Sequence, residues 1–323
     1  MSGKWTEMAE RSAPIFEKLR TRMRGRVRAG EPMADHTTWR VGGPVDLLVE
    51  PADAAELRLC VELLRDAGIP WLPLGSGSNL LVRDGGIPGA VIGMRYFRDV
   101  KLEPENNVVA GAGLPLMSLI RTATENGLSG LEQLSGIPGT VGGAIYMNAG
   151  AGDKDMAGVV QSVQVLTGNG EKSLSRDELG FEYRRSRLRQ NEIVFSARLQ
   201  LGRGEPEDLQ RIVKEKLRHR RRAQGVGAPS AGSVFKNPPG ESAWKLIEKT
   251  GLQGRQVGGA RISERHANFI VNAGQATASD ILELIDLVRN EVFARSGILL
   301  EPEVRIIGID SSTMQSVSEM DKR

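Results

Sequence analysis

The sequence predicts a protein of mixed helices and strands, divided into two or three domains. Apolar residues recur at helical spacing in some stretches and form short strand-like runs in others, and the two kinds are interspersed along the chain. A length of 323 residues is more than one core commonly organises. Two glycine-rich stretches, 75–86 and 127–152, punctuate the regular elements.

Composition narrows the class. At 40% hydrophobic and 26% charged the chain is ordinary globular material. A net charge of +3 suits an anionic small ligand as well as a nucleic acid. Aromatic residues make up only 4%, which argues against a base-stacking surface for nucleic acid. Cys60 is the single cysteine, so no intramolecular disulfide can form and a reducing cytoplasm is the natural setting. The three histidines and Cys60 show no zinc spacing, so no metal site is expected. The first thirty residues lack the continuous apolar core of a secretory signal, and no segment reads as a membrane span.

The elements follow in order. Residues 1–32 read as a basic amphipathic helix with a loose end, docked through Ile15, Leu19 and Met23. Val45–Val49 reads as a strand, and Asp53 with Glu56 as a capping box before a helix bearing Leu57, Cys60, Val61 and Leu64 on one face. Cys60 lies in that stripe and is read as core packing. Gly68 and Pro70 stop the helix, and Trp71–Leu74 is the next strand, giving a β-α-β unit. Leu80–Val82, Val91–Met94 and Val108–Ala110 read as strands, and Pro115 opens a helix carrying Leu116, Leu119, Ile120 and Ala123. Val160–Leu166 and Ile193–Leu201 are strands; Pro206 opens a helix with Leu209, Ile212, Val213 and Leu217 on one side. Ala243–Thr250 is a short helix stopped by Gly251, and Phe269–Asn272 a strand. Ser279 is expected to cap the last long helix, which Gly297 ends. The final strand, ILLEPEVRIIG, places Glu301 and Glu303 on one face, where each needs a partner if buried. Residues 309–323 read as a polar, disordered tail.

The chemistry is concentrated in the glycine stretches. Eight of the 26 residues in 127–152 are Gly, and no side chain from Gln133 to Gly152 is charged. Glycines at 136, 139, 142 and 143 leave N–H groups unshielded and permit positive φ, and Pro138 stiffens the turn. The stretch therefore reads as a wall for a large phosphate-bearing cofactor; a plain glycine turn between strands is the alternative. Gly75, Ser76, Gly77, Ser78 and Asn79 offer backbone and hydroxyl donors for a diphosphate. No Gly-Lys-Ser/Thr follows, so this is not a Walker loop, and a strand rather than a helix comes next, so it is not a Rossmann turn.

Two basic clusters complete the inventory. FEYRRSRLR carries Arg184, Arg185, Arg187 and Arg189, either a solvated edge or a clamp for carboxylate or phosphate. KEKLRHRRR ends the helix that begins at Pro206, and cations there also suit a helix C-terminus.

Taken in order, TTWRVGGP, PLGSGSNLLV, GLEQLSGIPGTVGGAIYMNAGA, FEYRRSRL, PSAGSVFKNP, ARISERHANFIVN and LEPEVRIIG give the chain a family. From about Thr37 to Gly308 it resembles the UDP-N-acetylenolpyruvoylglucosamine reductases, flavoenzymes of peptidoglycan precursor synthesis. The resemblance implies an α+β fold: a two-part FAD-binding unit of the vanillyl-alcohol-oxidase (PCMH) type, then a C-terminal α+β substrate-binding domain. It suggests FAD-binding halves at 33–90 and 91–205, a substrate domain at 206–308, an N-terminal extension at 1–32 and the tail at 309–323.

The same resemblance assigns roles. Gly75 to Asn79, with Gly136, Ile137, Pro138, Gly139, Thr140, Gly142 and Gly143, would hold the FAD diphosphate and line the flavin, with Asn148 and Gly150 nearby. NADPH is the implied reductant and a UDP-sugar enolpyruvyl ether the implied substrate. Hydride adds to the enolpyruvyl methylene carbon and a proton to its neighbour. Arg184, after Tyr183, matches the arginine that polarises the substrate carboxylate; Ser233 matches the proton donor; Glu303 matches the glutamate that assists at the carboxylate. Lys236 or a water relay would tune Ser233, Asn237 would contact the UDP portion, and Arg221 or Arg222 would reach its diphosphate.

Arg185 and Glu301 are the neighbouring alternatives for the roles of Arg184 and Glu303. The interval from Arg184 to Ser233 is 233 − 184 = 49 positions, too short for the tyrosine-bearing loop of the family's longer class, which leaves open what closes over the UDP. Two rival readings are another FAD oxidase or dehydrogenase of the same fold, and a nucleic-acid binder acting through Lys214 to Arg222. The first lacks a histidine in either glycine loop to anchor FAD, and the second leaves both loops unexplained.

Overall fold

Strand β4, predicted over Leu80–Val82, has as its partner a strand 225 positions later in the chain. The computed structural model describes residues 3–225 and 227–311 and shows how this pairing arises. Helix α1 (Gly3–Arg22) leads into strand β1 (Arg26–Pro32), followed by β2 (Pro44–Glu50), α2 (Ala54–Asp66), β3 (Trp71–Leu74), β4 (Leu80–Val82) and β5 (Ile87–Gly93). The first sheet has the order β1-β2-β5-β3, with β2 and β3 both parallel to β5. The expected β-α-β unit is present, with β5 inserted between its two strands. The α2 stripe of Leu57, Cys60, Val61 and Leu64 is wholly buried, as are Ile15 and Leu19 of α1. Burial pushes the Cys60 thiol up, which agrees with a packing role.

Two local readings change here. The loose end assigned to 1–32 includes β1, which pairs antiparallel with β2. Its sequence RVRAGEP has no apolar alternation; the partner strand sets its conformation, and its exposed charges suit an edge. Asp53 does cap α2 through the N–H groups of Ala55 and Glu56, but Glu56 does not close a capping box. Its carboxylate instead accepts from the N–H groups of Ala52, Arg24 and Gly25, which pins the entry to β1.

The second lobe comprises β6 (Val100–Glu103), β7 (Asn107–Gly111), α3 (Leu116–Glu125), β8 (Leu128–Ser129), α4 (Val141–Tyr146), β9 (Gly150–Ala151), β10 (Lys154–Asp155), β11 (Val160–Thr167), β12 (Gly170–Ser175), α5 (Arg176–Leu179), β13 (Ile193–Gln200) and β14 (Gly202–Arg203). Its antiparallel sheet runs β12-β11-β13-β7-β6. The predicted faces of α3 and β13 join the α2 stripe in one continuous core. Strands β6 and β12 escaped the sequence reading because their residues are mostly exposed and polar.

Helix α6 (Pro206–Gln224) packs on α3 and delivers the chain to the third lobe. That lobe holds α7 (Ala243–Thr250), β15 (Gln256–Val257), β16 (Ala260–Ile262), β17 (Ile270–Asn272), α8 (Ala278–Ser296) and β18 (Arg305–Ile307). Its core is separate, yet Trp39, Val41 and Leu81 belong to it. Trp39 is fully buried, and its indole N–H donates to the Ile270 carbonyl at 2.7 Å. The first lobe is thereby plugged into the third.

The final strand is shorter than its apolar run suggested. Pro302, which lacks an N–H, makes only an isolated bridge with Phe235, and regular pairing starts at Arg305. From there β18 runs parallel to β4. The start of the expected tail is also held: the Gly85 N–H donates to the Ile309 carbonyl, and Arg83 pairs with Asp310. Residues 312–323 lie outside the described residues.

Thr277, not Ser279, caps α8, in a capping box with Asp280. Ser279 sits inside the first turn and bonds Asp84, whose carboxylate accepts from the N–H groups of Ala278 and Ser279 and from the Ser279 hydroxyl at 2.6–2.9 Å. Asp84 thus ties the β4–β5 turn to the third lobe through otherwise unpaired helix donors. Asp84→Ala should cost about 1 kcal/mol, by analogy with losing a helix cap. The expected result is faster amide exchange at Ala278 and Ser279 and a thermal midpoint lower by roughly 2 °C.

Candidate active site

The three lobes leave a cleft of about 890 Å³ between them. This is large for a small-ligand pocket and big enough for an extended cofactor together with part of a second ligand. Its first wall is the loop from β3 to β4, Gly75, Ser76, Gly77, Ser78 and Asn79, all of which line it. Gly77 is obligatory: its φ is +63°, and an added Cβ would stand 2.0 Å from the His36 carbonyl. Asn79 donates its side-chain N–H to the Glu303 carbonyl, and its own carbonyl accepts from Arg305. The loop is thus held by the last strand.

The second wall is Gly136, Ile137, Pro138, Gly139, Thr140, Gly142 and Gly143, with Gly150 beside it. Gly136 and Gly139 have the positive φ expected of them. Gly142 and Gly143 do not: they form the first turn of α4, capped by the Thr140 hydroxyl. Their smallness serves contact instead. A Cβ on Gly142 would meet Ala112 at 2.8 Å, whereas one on Gly143 would meet only Thr140 and leaves the cleft side open. The two loops touch, since the Ser78 hydroxyl donates to the Pro138 carbonyl at 3.1 Å. A narrow, uncharged cradle rich in bare backbone fits the diphosphate and ring of a dinucleotide cofactor.

The third wall comes from α6 and the C-terminal lobe. Ser233 projects from the segment between two isolated bridges, Ser230 with Val271 and Phe235 with Pro302. The buried Asn268 amide braces this segment by bonding both the N–H and the carbonyl of Phe235. The Glu303 N–H donates to the Val234 carbonyl at 2.7 Å, which brings the Ser233 and Glu303 segments side by side.

At the centre the Arg184 guanidinium meets the Glu303 carboxylate, Nε to Oε1 at 3.1 Å, with both side chains about one-fifth exposed. Arg184 has a left-handed backbone, φ +56°, which turns it inward from a segment whose neighbours face solvent. Arg185 is exposed and pairs loosely with Glu182, while exposed Glu301 pairs with Lys236. The cleft therefore takes Arg184 and Glu303 and leaves their neighbours outside. Burial raises the Glu303 carboxyl above its usual range, partly offset by the charges of Arg184 and Lys236.

Some expected residues do not reach the cleft. Asn148 is buried with its amide satisfied by Asp155, the Glu182 carbonyl and the Ala157 N–H, so it braces the wall from behind. Tyr183 is half-exposed and lies under the Arg184 guanidinium, 4.9 Å from it. Lys236 is held at the rim by Glu301. Asn237 and Arg221 do line the cleft.

Other residues went unremarked in the sequence. Arg220 lies deeper than Arg221, with Nη1 donating to the Gly136 carbonyl at 3.0 Å; burial and the charge of Arg184 push its guanidinium below its ordinary value. The signal was available, since Arg220 continues the face of Val213 and Leu217. Arg305, at the end of the LEPEVR run, lines the cleft and donates to the Tyr146 hydroxyl. The basic end of α6 thus serves the cleft through Lys216, His219, Arg220 and Arg221.

Comparison with known proteins agrees with this layout. Residues 224–307 match the family model described as UDP-N-acetylenolpyruvoylglucosamine reductase, C-terminal domain. Residues 45–172 match the model described as FAD binding domain. The UDP-N-acetylenolpyruvoylglucosamine reductase of Syntrophotalea carbinolica is 48% identical over 282 residues, covering 87% of this chain and 94% of its own. That of Heliobacterium modesticaldum is 49% identical over 289 residues, covering 88% and 92%. The crystal structure of the reductase from Thermus caldophilus aligns with a TM-score of 0.77 at 40% identity, covering 88% of this chain and all of that one.

The Glu303 titration tests the electrostatics. Because burial favours the neutral acid, this group's contribution to folding is lost as pH rises through its elevated pKa. Arg184→Gln removes an attraction that lowers that pKa, so it should move the Glu303 midpoint further up. Carboxyl-labelled NMR titration reads the shift, and an unmoved or lowered midpoint would contradict the pairing.

Proposed function

The chain belongs to the UDP-N-acetylenolpyruvoylglucosamine reductase family, and from that premise we propose how its cleft works. The reaction is the NADPH-dependent, FAD-dependent reduction of UDP-N-acetyl-3-O-(1-carboxyvinyl)-glucosamine to UDP-N-acetylmuramate, a step of peptidoglycan precursor synthesis. FAD, when bound, supplies a hydride carrier that accepts from NADPH and donates to the enolpyruvyl double bond. The loops at Gly75–Asn79 and Gly136–Gly143 would hold it, consistent with their contact and the open side of Gly143.

The observation that carries the reading is the Arg184–Glu303 pair, set beside Ser233 and flanked by both loops. As hydride reaches the methylene carbon, charge grows on the substrate carboxylate. Arg184 is positioned to bind that carboxylate through its planar fork. Glu303, held toward its neutral form by burial, can donate a hydrogen bond to it. Ser233 would give its proton to the adjacent carbon. Arg221 and Arg220 suit the diphosphate, and Asn237 the nucleoside.

The halves of the FAD unit are assigned to 33–90 and 91–205, with β1 added to the first, and the substrate domain to 206–308. A cytoplasmic setting follows from soluble nucleotide substrates. No helix among the described residues is long and apolar enough to cross a membrane.

The test follows the flavin spectrum without oxygen. NADPH should bleach the yellow protein, and the enolpyruvyl substrate should restore the colour. Ser233→Ala should keep the bleaching step and slow recovery by about 10²-fold or more, the range of a lost general acid. Equal slowing of both steps in stopped flow would remove Ser233 from the proton-transfer role. Glu303→Gln should also slow recovery selectively. Glu301→Gln, altering an exposed group bound to Lys236, should leave recovery within about threefold, a size typical of a surface ion pair.

A further inference from the structure

Helix α7 buries Ala243, Leu246, Ile247 and Thr250, a complete apolar stripe without Trp244. Trp244 lies off that stripe, is 37% exposed, and faces the cleft. Its ring centre is 6.2 Å from that of His266, which stands 4.6 Å from that of Phe269, so three rings form a row along the C-terminal wall. Burial lowers the His266 pKa, so the row is uncharged near neutral pH. Asn237 joins the row to polar chemistry: its side-chain carbonyl accepts from the Ala243 N–H, which leaves its NH₂ to donate to a ligand. The Lys245 ammonium lies 5.7 Å from the Trp244 ring centre. Aromatic face, amide donor and nearby cation together suit a nucleobase attached to a diphosphate.

We propose that Trp244 is the stacking platform for the uracil ring of the UDP-sugar, with Asn237 donating to a uracil carbonyl. The proposal rests on the reading of this cleft as the UDP-sugar site and supplies the group that covers the nucleotide. Arg184 and Glu303 take the carboxylate end, and the glycine loops hold the flavin on the opposite lobes. The aromatic row is left for the far end of the substrate.

The experiment titrates FAD-loaded protein with UDP and with inorganic pyrophosphate, by calorimetry and by tryptophan fluorescence. Trp244→Ala should raise the Kd for UDP about tenfold, the effect of losing one stacked base, and leave pyrophosphate within about twofold. Trp244→Phe should keep UDP affinity within about threefold while abolishing the UDP-dependent fluorescence change. Equal weakening of UDP and pyrophosphate in Trp244→Ala, unchanged UDP affinity there, or a full fluorescence response in Trp244→Phe would each overturn the proposal. Failure of the underlying reading shows separately, as absence of flavin reoxidation by the enolpyruvyl substrate in the unaltered protein.

Discussion

The parallel pairing of β18 with β4 is the constraint on which the cleft depends. It sets Arg305 against Leu80 and lets Asn79 bond both the Glu303 carbonyl and the Arg305 N–H. One short ladder therefore orders the first glycine loop and aims the acid at the centre. Bringing together residues so far apart in sequence carries a loop-closure cost, though that cost grows only slowly with length. Two further ties help meet it: Trp39 plugged into the third core, and Asp84 on the first turn of α8.

Charge in the cleft is arranged by depth. At the rim, Lys236 and Glu301 neutralise one another in water. Further in, Arg184 and Glu303 are paired but short of solvent, and burial outweighs the pair in setting the carboxyl. Beyond them Arg220 feels the like charge of Arg184 and anchors on the Gly136 carbonyl. Cations thus stand at Arg184 and along α6, while the glycine loops offer uncharged backbone, so charge and bare backbone lie on different walls of the cleft.

Much of this was legible in the residues. Helix α7 and its Gly251 stop, the stripe of α2, and strand β3 follow from period and punctuation alone, because local pattern and tertiary burial agree there. Strands β1, β6 and β12 were not legible, since each is an exposed element whose form is imposed by a neighbour. The choice of Thr277 over Ser279 was readable locally, since Asp280 closes a capping box three residues on; what no local window contains is Asp84, the partner of Ser279. At the site, the glycine loops and the Arg184, Ser233 and Glu303 set could be named from motifs. That Asn148 turns away while Arg220 and Trp244 turn in depends on packing between lobes.

The β4–β18 ladder also bears on how the protein comes into being. A nascent chain not yet extended past residue 304 carries Gly75–Asn79 without the strand that steadies it. The first two lobes share a core and can collapse early, since domains generally fold as they emerge. The first glycine loop, by contrast, is steadied only once β18, 225 positions beyond β4, has been made. Order in that loop therefore comes later than the collapse of the lobe that carries it.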